Sequence, residues 1–504
     1  MIWIITSCIS LIIISKLTLR GTGLFPSPSI YQVLLFSIFL AYLISSKYSF
    51  WLIAVPIIAI YSLYLPVGLS FGSPKYQHMM SFLATDSSEA SEFLSLIPLK
   101  NYLYAVIVFL SIFVIRKIFI LRKINLLRNR TFLIASTCFV FWHLIPFDFF
   151  HKSFSEYKKV QADLDMLKAA TQKSEWGKST LENSQYDDYV LVIGESVRTD
   201  YMHAYGYPIP NTPFMSNSKG TLVNGLFASG GYTIGSLRFM LTKADKKNWK
   251  HNYGLDIVSM ANSAGIETHW LSNQGFIGRF DTPITAIANK SQYKYFVNSV
   301  ASHDKIESDF KLLPHISKSL QKSSNKKRFF IIHIYGSHPN SCNRISDFKK
   351  IISDKDINPK YHYLNCYISS IAKTDKFLNE IFNILEENKK QTNRKFSLIY
   401  FSDHGLGYKN TAKQIILSND PGSSRDLGYY SVPLFKISDD DTERHEYTSF
   451  KSGLNFTEGV ANWIGIQNPK IDPKLNLFSG IDDLDDYGQR SQLKQGQTPI
   501  DIRQ

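Results

Sequence analysis

The chain has 504 residues, a formal net charge of +14 and a hydrophobic content of 44%, which allows one large domain and a further part. The positive charge does not indicate nucleic-acid binding, because the densest basic run, at residues 116–130, lies between two long apolar stretches. The apolar stretches are concentrated before residue 150. An apolar N-terminal part and a more polar remainder are therefore expected.

The first 150 residues contain five apolar stretches, most of them near the length that crosses a bilayer as a helix. We predict an α-helical transmembrane domain of five helices over residues 1–150. The first stretch lacks a basic leader and a small-residue cleavage site, so we interpret it as a retained anchor and not a signal peptide. The stretches lie at about 1–15, 31–46, 49–66, 101–121 and 131–149.

The loop between the fourth and fifth stretches, "RKIFILRKINLLRNR", contains six basic residues and no acid. Loops on the cytoplasmic side are enriched in Lys and Arg, so this loop is predicted to be cytoplasmic. The chain after residue 150 would then lie outside the cytoplasm. Lys16 and Arg20 would also lie outside, which argues against this orientation, but two charges are weaker evidence than six. The sequence thus predicts a multi-pass protein of the lipid bilayer with an exported domain.

Beyond residue 150 the chain changes character. Residues 151–187 are polar and helix-prone and are predicted to be a bridging helix or linker. Residues 188–485 alternate strand-like and helical stretches, which favours an α/β domain with a doubly wound, mainly parallel sheet. Residues 486–504 have no apolar periodicity and are expected to be loosely ordered. The predicted strands are 189–193, 267–271, 329–334, 396–401 and 432–437, and the clearest predicted helices are 255–264 and 367–385.

The four cysteines divide between the two parts. Cys8 and Cys138 lie in apolar segments and are interpreted as buried small residues. Cys342 and Cys366 lie in the exported domain, where disulfides persist. A disulfide between these two is expected, although the sequence alone leaves their pairing open.

Polar side chains with metal-binding chemistry follow three predicted strands. Glu195 follows the first, His338 the third, and the pair Asp403 and His404 the fourth. A single acid or histidine after a strand is usually only a turn residue or a cap. Three such ends in one sheet are harder to explain in that way, and carboxylate and imidazole are ligands that zinc uses.

A hydroxyl side chain that can attack a substrate lies in "FASGGYTIGSLRFMLT". Thr233 follows the glycine pair Gly230-Gly231, and Ser236 comes one helical turn later. If a helix begins here, its free amide groups could hold a phosphate oxygen. A helix N-cap is the alternative reading of Thr233.

Together these segments resemble the alkaline-phosphatase/sulfatase superfamily and, within it, the inner-membrane phosphoethanolamine transferases of Gram-negative bacteria. The combination of "GES-x-R-x-D" with "SDHG" is specific, and the five-segment membrane part also matches. The matching pieces are "GESVRTDYMHAYGY", "NTPF", "GGYTIGS", "IHIYGSHPNSCNR", "YFSDHG" and "SVPLF".

The resemblance implies a zinc-dependent transferase. It places the metal, one or more Zn²⁺ ions, on Glu195, Thr233, Asp403 and His404. Thr233 would be the catalytic nucleophile that takes phosphoethanolamine from phosphatidylethanolamine through a zinc-bound phospho-threonine. A glycan or lipopolysaccharide of the envelope would be the acceptor, and the catalytic domain would be periplasmic at the bacterial inner membrane.

The resemblance also suggests further substrate residues. His338 matches a histidine that can protonate a leaving oxygen or stabilise its charge. Thr85 and Glu89, in "SFLATDSSEASEFL", match a membrane-proximal substrate segment, although a capped amphipathic helix is an equal alternative. Arg279, in "NQGFIGRFD", is the nearest candidate for binding the donor phosphate, and Asn273 of the same segment is a further candidate for substrate binding.

The sequence departs from the family after "SDHG". Many relatives have a glutamate next and another histidine about a dozen residues later, and "SDHGLGYKNTAKQ" has neither. A second zinc and the usual acid–base partner are therefore open questions.

Two alternatives remain. One is a phosphoglycerol transferase of the same fold. The other is a non-catalytic, membrane-anchored sulfatase-like domain that binds a partner or glycan. An ordinary sulfatase is disfavoured because "YTIGSLR" lacks the C/S-x-P/A-x-R pattern.

Overall fold

The computed structural model of the protein describes residues 2–23, 28–76, 79, 94, 97–124, 148–171, 174–274, 283–297, 307–410, 415–418 and 425–503. These residues form two compact units. One contains the N-terminal helices up to Asp163, and the other runs from Leu164 to Gln504.

The N-terminal unit is a bundle of apolar helices. Its interior is filled by side chains that are fully buried, including Phe36, Ile58 and Ile112. The second helix begins with a capping box, in which Ser29 and Gln32 each bind the other's backbone amide, an arrangement that satisfies two free donors of a helix start. The helices are α1 (Ile2–Gly21), α2 (Ile30–Ser45), α3 (Lys47–Phe71), α4 (Leu99–Leu121) and α5 (Asp148–Thr171), the last of which continues into the second unit.

Helices α3 and α4 are long and apolar enough to cross a membrane, within the described part of the chain. Helix α2 is apolar but has 16 residues. The predicted fifth segment, at 131–149, lies almost wholly outside the described residues. The structure therefore gives a helical N-terminal region with two candidate spans, and it does not confirm the predicted number of five.

The second unit is built around an eight-stranded mixed sheet in the order β11-β3-β10-β7-β2-β6-β4-β5. Strand β10 is antiparallel to both of its neighbours, and every other neighbouring pair is parallel. The sheet strands are β2 (Asp188–Gly194), β3 (Thr221–Phe227), β4 (Glu267–Ser272), β5 (Tyr293–Phe296), β6 (Arg328–His333), β7 (Phe396–Ser402), β10 (Ser431–Ser438) and β11 (His445–Ser452). Two small sheets pair β1 (Thr180–Leu181) with β12 (Ile466–Gln467) and β8 (Gly407–Asn410) with β9 (Ile415–Ser418).

Helices cover both faces of this sheet. In β2 the side chains of Leu191 and Ile193 pack into one core, and those of Val190 and Val192 pack into the other. This alternation explains the continuous apolar runs in the sequence, because a strand buried on both faces has no polar side. The helices are α6 (Pro213–Asn217), α7 (Thr233–Met240), α8 (Ile257–Ser263), α9 (Pro283–Ala288), α10 (Leu313–Leu320), α11 (Ser341–Arg344), α12 (His362–Thr392) and α13 (Phe456–Ile464).

The C-terminal segment differs from the expected loose tail. Ile502 is only 1% exposed and packs into one of the two cores. The Arg198 side chain donates to the carbonyl of Gln497 at 2.9 Å, and the Tyr207 hydroxyl donates to that of Ile500 at 2.7 Å. These contacts use backbone oxygens of the segment, so its side-chain pattern gave little sign of them.

Candidate active site

The carboxyl ends of β2 and β7 lie side by side. The two strands are parallel neighbours, and Gly194 pairs with Ser402 at their ends. The next residue along each strand is an acid, Glu195 after β2 and Asp403 after β7. The register of the sheet therefore brings together two carboxylates that are far apart in the sequence.

Glu195, Asp403 and His404 form a compact buried cluster. Each is 0% exposed, and one ligand atom from each lies within 4.8 Å of the other two. The His404 Nε2 atom is 3.2 Å from Glu195 Oε1 and 3.4 Å from Asp403 Oδ2. Two carboxylates and one imidazole in this arrangement are a ligand set for a divalent cation.

Asp403 presents one oxygen to the cluster. Its Oδ1 atom accepts from the amides of Ser196 at 3.1 Å and His404 at 2.7 Å. Its Oδ2 atom is buried and accepts no hydrogen bond from any residue that the structure describes. A buried carboxylate oxygen without a donor is costly unless a cation binds it, so Oδ2 fits a metal ligand.

The His404 ring is oriented by its own loop. Its Nδ1 atom lies 2.6 Å from the Gly405 carbonyl, which can only accept, so Nδ1 is assigned the hydrogen. The lone pair of Nε2 then faces the two carboxylates. Such a lone pair and two anionic oxygens repel one another unless a positive charge lies between them.

The pKa values agree with this need for positive charge. Burial and the Glu195 carboxylate raise the pKa of Asp403 to about 8. Burial lowers the pKa of His404, but the carboxylates of Asp403 and Glu195 outweigh it and raise the pKa to about 9. The cluster thus retains protons at neutral pH, and a divalent cation would take their place.

Thr233 completes the cluster. It is the first residue of α7, and its Oγ1 atom donates to Glu195 Oε2 at 3.1 Å and lies 3.4 Å from His404 Nε2. The Ser236 hydroxyl donates to the Asp403 carbonyl at 2.6 Å and so fixes the helix to the end of β7. A Cβ atom at Gly230 would lie 2.6 Å from the Gly235 carbonyl carbon, so the turn before the helix requires glycine there.

His338 lies on the segment that follows β6. It is half-buried, and its Nδ1 atom is 3.3 Å from Arg344 Nη2. Burial lowers the pKa of His338 to about 4, against the opposing charge of Glu195. The imidazole is therefore neutral at pH 7. A disulfide between Cys342 and Cys366 fastens α11, which carries Arg344, to α12.

The side-chain amide of Asn273 binds the segment at residues 307–309. Its amide donates to the Glu307 carbonyl at 2.8 Å and to Asp309 Oδ1 at 2.7 Å, which is a supporting role. The next residue, Gln274, donates instead to Glu195 Oε2 at 3.1 Å. Thr85, Glu89 and Arg279 lie outside the described residues.

Two residues of the site were missed in the sequence. Gln274 carries no ionisable group, and its only signal was its position just after β4. Ser196 has a left-handed backbone, with φ of 59°, and its hydroxyl donates to Glu195 Oε1 at 2.6 Å. Strained backbone of this kind is concentrated at functional sites, but the sequence does not reveal it.

Known proteins are similar to this chain in sequence and in fold. Residues 187–466 match the Sulfatase family. A protein of Haemophilus influenzae to which phosphoethanolamine transferase activity is attributed is 48% identical over 398 residues, 79% of this chain and 82% of that protein. The phosphoethanolamine transferase OpgE of Escherichia coli is 27% identical over 442 residues, 82% of this chain and 80% of its own.

A solved structure has a similar fold over most of its length. It is the integral membrane lipooligosaccharide phosphoethanolamine transferase A of Neisseria meningitidis, with a TM-score of 0.59 and 15% identity. The match covers 93% of this chain and 96% of that chain.

Proposed function

The chain belongs to the Sulfatase family and, within it, to the phosphoethanolamine transferases, and on this premise we propose its donor, nucleophile and acceptor class. The donor is phosphatidylethanolamine, and Thr233 carries the phosphoethanolamine group between the two half-reactions. The acceptor is a hydroxyl or phosphate group on an envelope glycan or lipopolysaccharide.

The observation that carries this proposal is the position of the Thr233 hydroxyl. It lies at the start of α7, within hydrogen-bond reach of Glu195 Oε2 and next to His404 Nε2. A threonine hydroxyl is a weak nucleophile until a base, a metal or both lower the cost of its deprotonation.

Glu195, Thr233, Asp403 and His404 would hold the metal, which we assign as Zn²⁺ from their oxygen and nitrogen donors. When bound, zinc supplies a Lewis acid beside the Thr233 oxygen and the substrate phosphate. The assignment is supported by Asp403 Oδ2, which is buried and accepts no hydrogen bond among the described residues.

In the first half-reaction the Thr233 oxygen forms a bond to phosphorus and loses its proton. The bond between phosphorus and the glyceride oxygen breaks, and diacylglycerol leaves with a proton. In the second, an acceptor oxygen loses its proton and bonds to phosphorus, the bond between phosphorus and the Thr233 oxygen breaks, and Thr233 regains a proton. His338, neutral at pH 7, is assigned to accept a proton from an incoming hydroxyl and return it to a leaving oxygen.

The remaining assignments concern the membrane and the substrate. Five N-terminal spans would hold the protein in the bacterial inner membrane, with the catalytic domain in the periplasm. The disulfide between Cys342 and Cys366 suits that oxidising compartment. Thr85, Glu89 and Arg279 are assigned to donor binding. No nucleic-acid partner is proposed.

The test follows the covalent intermediate. Detergent-purified protein is incubated with phosphatidylethanolamine without acceptor, and the tryptic peptide of residues 220–238 is analysed by mass spectrometry. A phosphoethanolamine mass on Thr233 that is absent from Glu195→Ala supports the proposal. A phosphoglycerol mass on this peptide after incubation with phosphatidylglycerol would favour a phosphoglycerol transferase of the same fold. An unmodified peptide in a protein that binds no zinc would favour a non-catalytic domain.

A further inference from the structure

Gln274 is held firmly at the end of β4. Its backbone amide donates to the Ser272 hydroxyl oxygen at 3.1 Å, and that hydroxyl donates to the Gln274 carbonyl at 3.2 Å. The side-chain Nε2 atom donates to the Ile334 carbonyl at 3.2 Å and to Glu195 Oε2 at 3.1 Å. Because both of these partners only accept, the NH₂ group must face them and the amide has one orientation.

Each oxygen of the Glu195 carboxylate has a donor of its own. Oε1 accepts from the Ser196 hydroxyl at 2.6 Å. Oε2 accepts from Thr233 Oγ1 and from Gln274 Nε2, both at 3.1 Å. These donors fix the plane of the carboxylate, so that Oε1 faces His404 and Oε2 faces the nucleophile.

The two donors to Oε2 differ in one respect. The Thr233 hydrogen is lost when its oxygen becomes a phosphoester, whereas the Gln274 hydrogens are unchanged throughout the reaction. After transfer to Thr233, Gln274 is the donor that still holds Oε2 among the residues the structure describes. A glutamate in its place would repel Glu195, and a lysine would neutralise it.

We propose that Gln274 is a positioning residue for the reaction, which orients the Glu195 carboxylate both for metal binding and in the phosphothreonine state. This inference rests on the proposed function and assigns a role beyond the ligands and nucleophile named above. Partners that orient metal ligands commonly change metal affinity or activity by about 10- to 100-fold when they are replaced.

The test uses Gln274→Met, which keeps the length of the side chain and removes the donor. The matched control is Gln467→Met, at a half-buried glutamine on β12 in a separate small sheet. Zinc affinity of the full-length protein is measured by competition with a chromophoric chelator. In parallel, kcat and KM for phosphatidylethanolamine and the rate of Thr233 modification are measured with saturating zinc.

We expect Gln274→Met to weaken zinc binding by about 10-fold or more, and to lower kcat while KM for the donor stays within about twofold. Gln467→Met should match the wild type in every readout. Wild-type zinc affinity and wild-type kcat in Gln274→Met would overturn the proposal. So would equal losses in both variants, or a rise in KM alone.

The zinc measurement also separates this inference from the proposed function. If the wild-type protein never modifies Thr233, the donor or nucleophile is wrong, yet the affinity of Gln274→Met still tests the orientation of Glu195. If the wild type is modified and Gln274→Met binds zinc and reacts normally, only the role of Gln274 fails.

Discussion

The Thr233 hydroxyl donates to Glu195 Oε2 at 3.1 Å, although the two residues are 38 positions apart in the sequence. The bond joins the first turn of α7 to the end of β2. It therefore places the nucleophile against one of the carboxylates proposed to hold the metal.

Replacement of Thr233 should separate chemistry from folding. Thr233→Ala removes the attacking oxygen but is compatible with a helix start, so transfer should fall by more than about 10³-fold while the protein remains folded. Thr233→Ser keeps the hydroxyl and should retain measurable transfer. Diacylglycerol release from phosphatidylethanolamine measures both, and substantial release by Thr233→Ala would show that another group attacks.

Replacing Asp403 by asparagine should stabilise the metal-free protein. Burial and the Glu195 carboxylate raise the pKa of Asp403 to about 8, so at neutral pH this side chain must take up a proton when the metal-free protein folds. An asparagine folds without that cost. Asp403→Asn should therefore raise the melting temperature in chelator and abolish the rise that zinc gives the wild type. Thermal unfolding with and without zinc measures both effects.

The control for this experiment is Asp356→Asn at an exposed site, which should change the stability with or without zinc by no more than about 0.5 kcal/mol. A metal-free Asp403→Asn protein that melts below the metal-free wild type would contradict the prediction.

Asp375, which lies outside the active site, should make the free energy of unfolding depend on pH. It accepts the amides of Phe214 and Met215 at 2.7 and 3.0 Å, and burial raises its pKa from an ordinary 3.8 to about 6. The pKa of Asp375 is higher in the folded than in the unfolded protein. Its contribution to the folding free energy is therefore fully present below pH 3.8 and is lost as the pH rises through 6. The loss is about 3 kcal/mol from the size of the shift.

Asp375→Asn does not titrate, so it should gain stability relative to the wild type between pH 4 and pH 7.5. The difference in melting temperature between Asp375→Asn and the wild type, taken at each of the two pH values, measures this gain. Other titrating groups are the same in both proteins, so their effect cancels in this difference. A difference that is constant with pH would show that Asp375 has an ordinary pKa.

The packed C-terminal segment should matter for stability. Ile502 is 1% exposed in the core beside α12, and truncation of a buried isoleucine costs about 2–5 kcal/mol. Ile502→Ala should lower the melting temperature of the full-length protein, whereas Arg503→Ala, at an exposed neighbour, should not. Equal melting temperatures for both variants would indicate that the segment is loosely held.

The sequence predicted the central strands well for a physical reason. The runs near 189–193 and 396–401 are apolar throughout because both faces of β2 and β7 are covered by helices. Strands β3 and β11 lack this pattern. The first includes Gly225 with φ of 138°, and the second contains His445, Lys451 and other polar residues, so neither was predicted.

The active site also contains some residues that the sequence predicts and others that it does not. The acids after β2 and β7 could be read from their positions, because parallel neighbours end at one edge of a sheet. The contacts of Gln274 and Ser196 depend on side-chain directions and on one strained backbone angle, which no residue pattern encodes. Asn273 and Gln274 are adjacent amides, and the sequence alone does not indicate which of them contacts Glu195.

The pairing of Gly194 with Ser402 also sets the order of events in making the site. Ser196 and Asp403 are 207 positions apart. The conformational entropy that is lost when such distant segments come together is lost when β2 and β7 join the sheet, before any metal binds. Metal capture then needs little further organisation, unlike a zinc finger, which folds only around its ion. The domain should therefore fold without metal and bind the metal afterwards.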